Sequence, residues 1–165
     1  MTGFSAAMLV AAAMACATNL GAASTAPTVT ALRAHLLENK TGRLSADILA
    51  APAPGLWNSI AGPHAASSAL VVVEINGQPS GAYSGRAGGL PGYRVRLVAI
   101  ERGRVRPLLD AQQALPVLGE DGKVHVGFLI RPGGCAAIQL TATLIGPQAA
   151  SAKPRRATVP MACGE

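Results

Sequence analysis

From Val29 onward the chain consists of short apolar runs broken by Gly, Pro and Asn, and several runs alternate apolar and polar residues with period two. Successive side chains of an extended chain point to opposite sides, so this is the pattern of strands that bury one face. The segment IQLTATL (138–144) is the plainest case: Ile138, Leu140, Ala142 and Leu144 share one face, and Gln139, Thr141 and Thr143 the other. KVHVGFLI (123–130) places Val124, Val126, Phe128 and Ile130 together and leaves His125 opposite them. YRVRLVAI (93–100) sets Tyr93, Val95, Leu97 and Ala99 against Arg94 and Arg96. LVVVEI (70–75) is continuous and β-branched, the composition of a strand covered on both faces, and it stops at the turn pair Asn76-Gly77. Two further strands are expected. VRPLL (105–109) follows a turn at Arg102-Gly103, and Pro160 restricts ATVPMA (157–162) to an edge or a bulge.

The opening stretch, TVTALRAHLLENKTGRLSADIL, admits two readings. Leu32, Leu36 and Leu37 fit a helix ending at Asn39, whereas the alternation from Val29 onward fits a strand, with ENKTGR turning into a second short one. The strand is preferred, because that turn supplies the partner a first strand needs. About seven strands in a single domain over 28–165 then predict an all-β fold, an immunoglobulin-like two-sheet β-sandwich. The likeness is one of architecture and implies no function.

The N-terminal end reads differently. The stretch 4–15 carries no charge and consists only of Ala, Met, Leu, Val, Phe and Ser. It falls short of the roughly 20 apolar residues that span a bilayer. It suits a secretory signal over 1–23, with small-residue cleavage sites after Ala17 or Ala23, although the first basic residue is only Arg33. Ala13-Met14-Ala15-Cys16 has the small residues and the cysteine of a bacterial lipoprotein signal without the usual Leu, so removal of Cys16 is preferred to its lipidation. The location expected is periplasmic or secreted, with membrane attachment only if Cys16 is lipidated.

Export would leave two cysteines, Cys135 and Cys163, and an even number in an oxidising compartment suggests a disulfide. A hairpin centred on Ala149 brings them together, and the closed loop would stabilise by about 3–4 kcal/mol. That register has a flaw: it sets Gln139, Thr141 and Thr143 against Val159 and Ala157, polar against apolar. A bulge at Gly133-Gly134 or near Pro160, or a switch of strands between sheets, would repair it. No metal site is expected, since there is no C-x-x-C and His35, His64 and His125 are scattered; no cofactor motif occurs either.

Charge narrows the function. The formal net charge is +6, with 14 Lys and Arg against 8 Asp and Glu. An anionic surface or an acidic partner is favoured. Nucleic acid is not, because after the leader only Trp57, Tyr83, Tyr93 and Phe128 are aromatic, too few for base stacking. Arg94, Arg96, Arg102, Arg104 and Arg106 form a basic series that offers a binding surface for an anionic partner, and protection of a solvated strand edge explains it nearly as well. The linker 76–92 holds six glycines, with Tyr83 and Arg86 as its contact side chains. Trp57, the single tryptophan, suits a core plug or a partner anchor. These features predict an exported, non-catalytic module that binds or assembles with a protein or an anionic component of the envelope. The alternative is a secreted hydrolase with His64 or His125 as base beside an acid such as Asp110 or Asp47 and a serine.

Overall fold

The computed structural model describes residues 26–50, 65–77, 90–115, 118–119, 121–147, 149 and 152–161. Within them lie eight strands: β1 (Thr28–Glu38), β2 (Leu44–Asp47), β3 (Ala66–Asn76), β4 (Arg94–Glu101), β5 (Leu109–Ala114), β6 (Lys123–Ile130), β7 (Ile138–Ile145) and β8 (Arg155–Val159). They form two antiparallel four-stranded sheets, in the orders β2-β1-β3-β6 and β5-β4-β7-β8. The alternating residues named above supply the inner faces. Val95, Leu97 and Ala99 of β4, Val124, Val126, Phe128 and Ile130 of β6, and Ile138, Leu140, Ala142 and Leu144 of β7 are all buried. Leu32, Ala34 and Leu36 of β1 join Val71, Val73 and Ile75 of β3 in the same core.

The opening stretch is strand rather than helix. Leu32, Ala34 and Leu36 are buried while Arg33 is exposed, a period of two, and β1 pairs along its length with β3. Gly42, at φ 65°, makes the turn into β2, a conformation open to glycine at little cost.

Two expectations need correction. Residues 105–108 are loop, and Val105 is 97% exposed. Gly103, at φ 85°, does turn the chain there, but Pro107 lacks the N–H a ladder needs, and pairing resumes only at Ala99↔Leu109. The strand that follows, LDAQQA, shows almost no apolar alternation, because as an edge strand it buries little. The last strand begins at Arg155 and ends before Pro160, not after it.

The β7–β8 pairing settles the flaw in the simple hairpin. Its register sets Ile138 opposite Val159 and Leu140 opposite Ala157, one residue away from the register centred on Ala149. Apolar now faces apolar. The two strands lie in one sheet and their ladder is regular, so neither a strand switch nor a bulge within the ladder is involved. Ala149 itself is buried, in a connection of nine residues, 146–154, rather than at a tight tip.

Candidate functional site

The strand directions bring three connections to one end of the sandwich. Ala69 opposite Ile130, Glu101 opposite Ile138 and Glu38 opposite Ala66 put the β1–β2, β4–β5 and β6–β7 connections there together. Two of them are joined directly: Arg102 donates its backbone N–H to Ala137 at 2.9 Å. The end carries Lys40 and Arg43, then Arg102, Arg104 and Arg106, then Arg131, all exposed. Its carboxylates are occupied inside the protein. Glu38 accepts a hydrogen bond from Thr41 Oγ1 at 2.6 Å, and Glu101 is buried.

Glu101 explains why Arg104 differs from its neighbours. Glu101 Oε2 lies 2.6 Å from Arg104 Nε, an ion pair whose N–H is not aimed along a hydrogen-bond line, so charge attraction holds the carboxylate. The guanidinium also lies over Gly133, where an added Cβ would come within 3.1 Å of Nη2. Arg104 therefore clamps the β4–β5 loop to the β6–β7 loop. Arg102, Arg106 and Arg131 are the arginines displayed outward.

Elsewhere the basic series is split. Arg94 and Arg96 stand on the outer face of the second sheet, as their alternation requires. Arg96 is engaged with Asp110 across the β4–β5 pair, through Nε at 2.7 Å and Nη2 at 2.6 Å. That bidentate contact raises the guanidinium pKa and holds the Asp110 carboxyl below its ordinary range. On the same face, Gln139, Thr141, Arg156 and Thr158 line a shallow open depression of about 530 Å³ between β7 and β8.

The outer face of the first sheet holds a second charge cluster. A register shift between Val29 and Ala31 lets Thr30 reach across to β3, where its Oγ1 donates to Glu74 Oε1 at 2.9 Å. Glu74 also meets Arg33, Lys123 and His125, each at 3.3 Å. The Thr30 hydrogen bond is the largest cause of a lowered Glu74 pKa; desolvation opposes it, and Lys123 and His125 add to it.

The residues of the hydrolase alternative are dispersed. His125 pairs with Glu74, not with Asp110, which belongs to the other sheet and faces Arg96. Asp47 accepts the backbone N–H groups of Ala34 and Leu49. The hydroxyl of Thr30, beside the His125–Glu74 pair, is bonded to the carboxylate rather than to the imidazole. Among the described residues no group of three or more His, Cys, Asp or Glu could hold a metal ion. Cys16, Trp57, His64, Tyr83, Arg86 and Cys163 lie outside the described residues; Cys135 is exposed in the β6–β7 connection.

Sequence reasoning missed three members of the cationic end, Lys40, Arg43 and Arg131, because they are distant in sequence and only topology unites them. It also missed the two buried acids. Their signal was present: Glu74 follows directly on the apolar run LVVV, and Glu101 on LVAI. No known protein family matches this chain, and no curated protein is similar to it.

Proposed function

We propose that this chain is an exported, non-catalytic immunoglobulin-like sandwich that binds an anionic envelope or secreted component through its cationic end. The observation that carries this reading is the separation of charge at that end. Among the described residues, five cations, Lys40, Arg43, Arg102, Arg106 and Arg131, are displayed there by three neighbouring connections, while the two carboxylates bond within the protein, Glu101 with Arg104 and Glu38 with Thr41. Such an arrangement projects a one-signed field toward solvent, which steers and holds anions.

The strand order supports the immunoglobulin-like part. Lettering β1, β3, β4, β5, β6, β7 and β8 as A, B, C, C′, E, F and G gives sheets A-B-E and C′-C-F-G, with β2 added at an edge. Export is supported by the apolar leader and by a Cys135–Cys163 disulfide, which belongs to the same reading. Cys135 precedes β7 by three residues and Cys163 follows β8 by four in sequence, and the β7–β8 ladder ends with Ile138 opposite Val159.

The test is cross-linked capture of the exported chain's partners from its own envelope and secreted fractions. The control carries Arg102→Glu, Arg106→Glu and Arg131→Glu. Arg104 is left in place because its loss would disturb Glu101. Loss of the captured component in the control is the expected result, and an unchanged set of partners refutes the reading.

A further inference from the structure

Resting on the cationic-end reading, we infer that its anionic partner is a lipid bilayer surface, docked by the β4–β5 tip with Val105 entering the headgroup region. The sequence at the tip is Arg102-Gly-Arg-Val-Arg-Pro, and Val105 at 97% exposed is by far the most exposed large apolar side chain among the described residues. Two others share that end: Leu129 at 45%, last but one in β6, and Leu44 at 50%, first in β2. Gln113 of β5 donates to the Gly127 carbonyl of β6 at 2.9 Å, so the β5 and β6 edges meet and Leu129 lies on the side of the sandwich that carries the tip. Val105, Leu129 and Leu44 thus share one end with Arg102, Arg106 and Arg131, while Ile145, at 38% the least exposed of the exposed large apolar residues among those described, lies at the opposite end.

The tip is held in shape before any partner arrives. Arg104 N–H donates to Glu101 at 3.0 Å, Leu108 N–H to Ala99 at 2.8 Å, and Arg102 N–H to Ala137 at 2.9 Å. Arg104 pins it further through Glu101. A tip so braced loses little conformational freedom on docking, and among the described residues nothing folds back to shelter Val105.

This combination selects among anionic partners. An acidic polysaccharide would satisfy Arg102, Arg106 and Arg131 but offers no apolar phase to Val105. An acidic protein would need a pocket shaped to receive the tip. A bilayer containing anionic lipid supplies negative charge at the surface and hydrocarbon just beneath it, and requires no shaped pocket. Membrane association then has a route besides lipidation of Cys16.

Flotation of the purified chain with phosphatidylcholine vesicles, with and without phosphatidylglycerol, tests the inference; immobilised heparin serves as the polysaccharide arm. Binding to the phosphatidylglycerol vesicles alone is expected, with affinity falling about fivefold for each of Arg102→Gln and Arg106→Gln. Val105→Ser should weaken binding about tenfold. Val105→Trp, which suits the membrane interface, should strengthen it. Neither Val105 variant should alter the far-ultraviolet circular dichroism, since the side chain stands almost wholly in solvent. Vesicle binding indifferent to both Val105 variants overturns the insertion. Absence of vesicle binding overturns the lipid assignment, and if heparin binding or envelope capture still depends on the arginines, the cationic-end reading survives. If neither depends on them, both readings fall together.

Discussion

Replacing Glu74 with Gln removes one negative charge and leaves the side chain's shape. Glu74 is 6% exposed, yet it sits on the outer face of its sheet, covered by the side chains that contact it. The substitution keeps an acceptor for Thr30 but weakens a charge-assisted hydrogen bond of 2.9 Å to a neutral one, a loss of about 1 kcal/mol. Arg33, Lys123 and His125 are each about half exposed and lie at 3.3 Å, so each contributes only a few tenths of a kcal/mol in a solvent-screened setting. Glu74→Gln should therefore destabilise by about 1–2 kcal/mol near neutral pH. The sign of the pH dependence follows from the lowered pKa. The folded state binds the Glu74 proton more weakly than the unfolded chain, so the stabilisation is present above the ordinary value of 4.5 and is lost as pH falls below it, through the folded pKa. Urea denaturation of both proteins from neutral pH down into this acid range measures the difference. The two stabilities should converge as the pH falls. A constant difference throughout, or a divergence in acid, would refute the assignment of the stabilisation to the Glu74 charge.

Two other substitutions probe the packing that shapes the candidate site. Arg104→Ala leaves the buried Glu101 carboxylate without its ion pair and should cost about 1–3 kcal/mol in urea denaturation; adding Glu101→Gln should recover part of that loss, and no recovery would mean that Arg104 acts through packing alone. Gly146→Ala drives a Cβ into the Tyr93 ring, near the ring's attachment rather than its free end, and should lower stability by about 1–3 kcal/mol in the same assay.

What could be read from the sequence was whatever local patterning controls. The inner faces of β4, β6 and β7 follow from simple alternation, since a half-buried strand must repeat with period two. β5 left no such trace. Its LDAQQA is held chiefly by pairing with β4, and its outward and inward residues differ little in polarity. The loop at 105–108 looked like strand because Val105, Leu108 and Leu109 are apolar, but the proline between them breaks the ladder and exposure of Val105 is a property of the whole end. The candidate site was half legible for the same reason. Arg102 and Arg106 announce themselves as a cluster in sequence, whereas Lys40, Arg43 and Arg131 join them only because β1, β4 and β6 all run toward the same end.

The proposed disulfide gains a more specific role from the observed register. β8 has five residues and, among the described residues, pairs only with β7. Its contribution to the core is chiefly Val159, which is fully buried against Ile138, while Arg155 and Arg156 point into solvent. A strand with so little buried surface frays readily from its open end. That end lies just beyond Val159, and a Cys135–Cys163 bridge would close it directly. The stabilisation of about 3–4 kcal/mol that the loop length allows should then be felt unevenly. Reduction of the oxidised chain should speed amide exchange across Arg155–Val159 first, and leave the β7 amides bonded to β4 protected for longer. Intact mass with and without reductant fixes the redox state, and site-resolved hydrogen exchange reads the order of opening. Uniform acceleration through both sheets would show that the bridge constrains the unfolded chain only. No change within Arg155–Val159 would show that β8 does not depend on it.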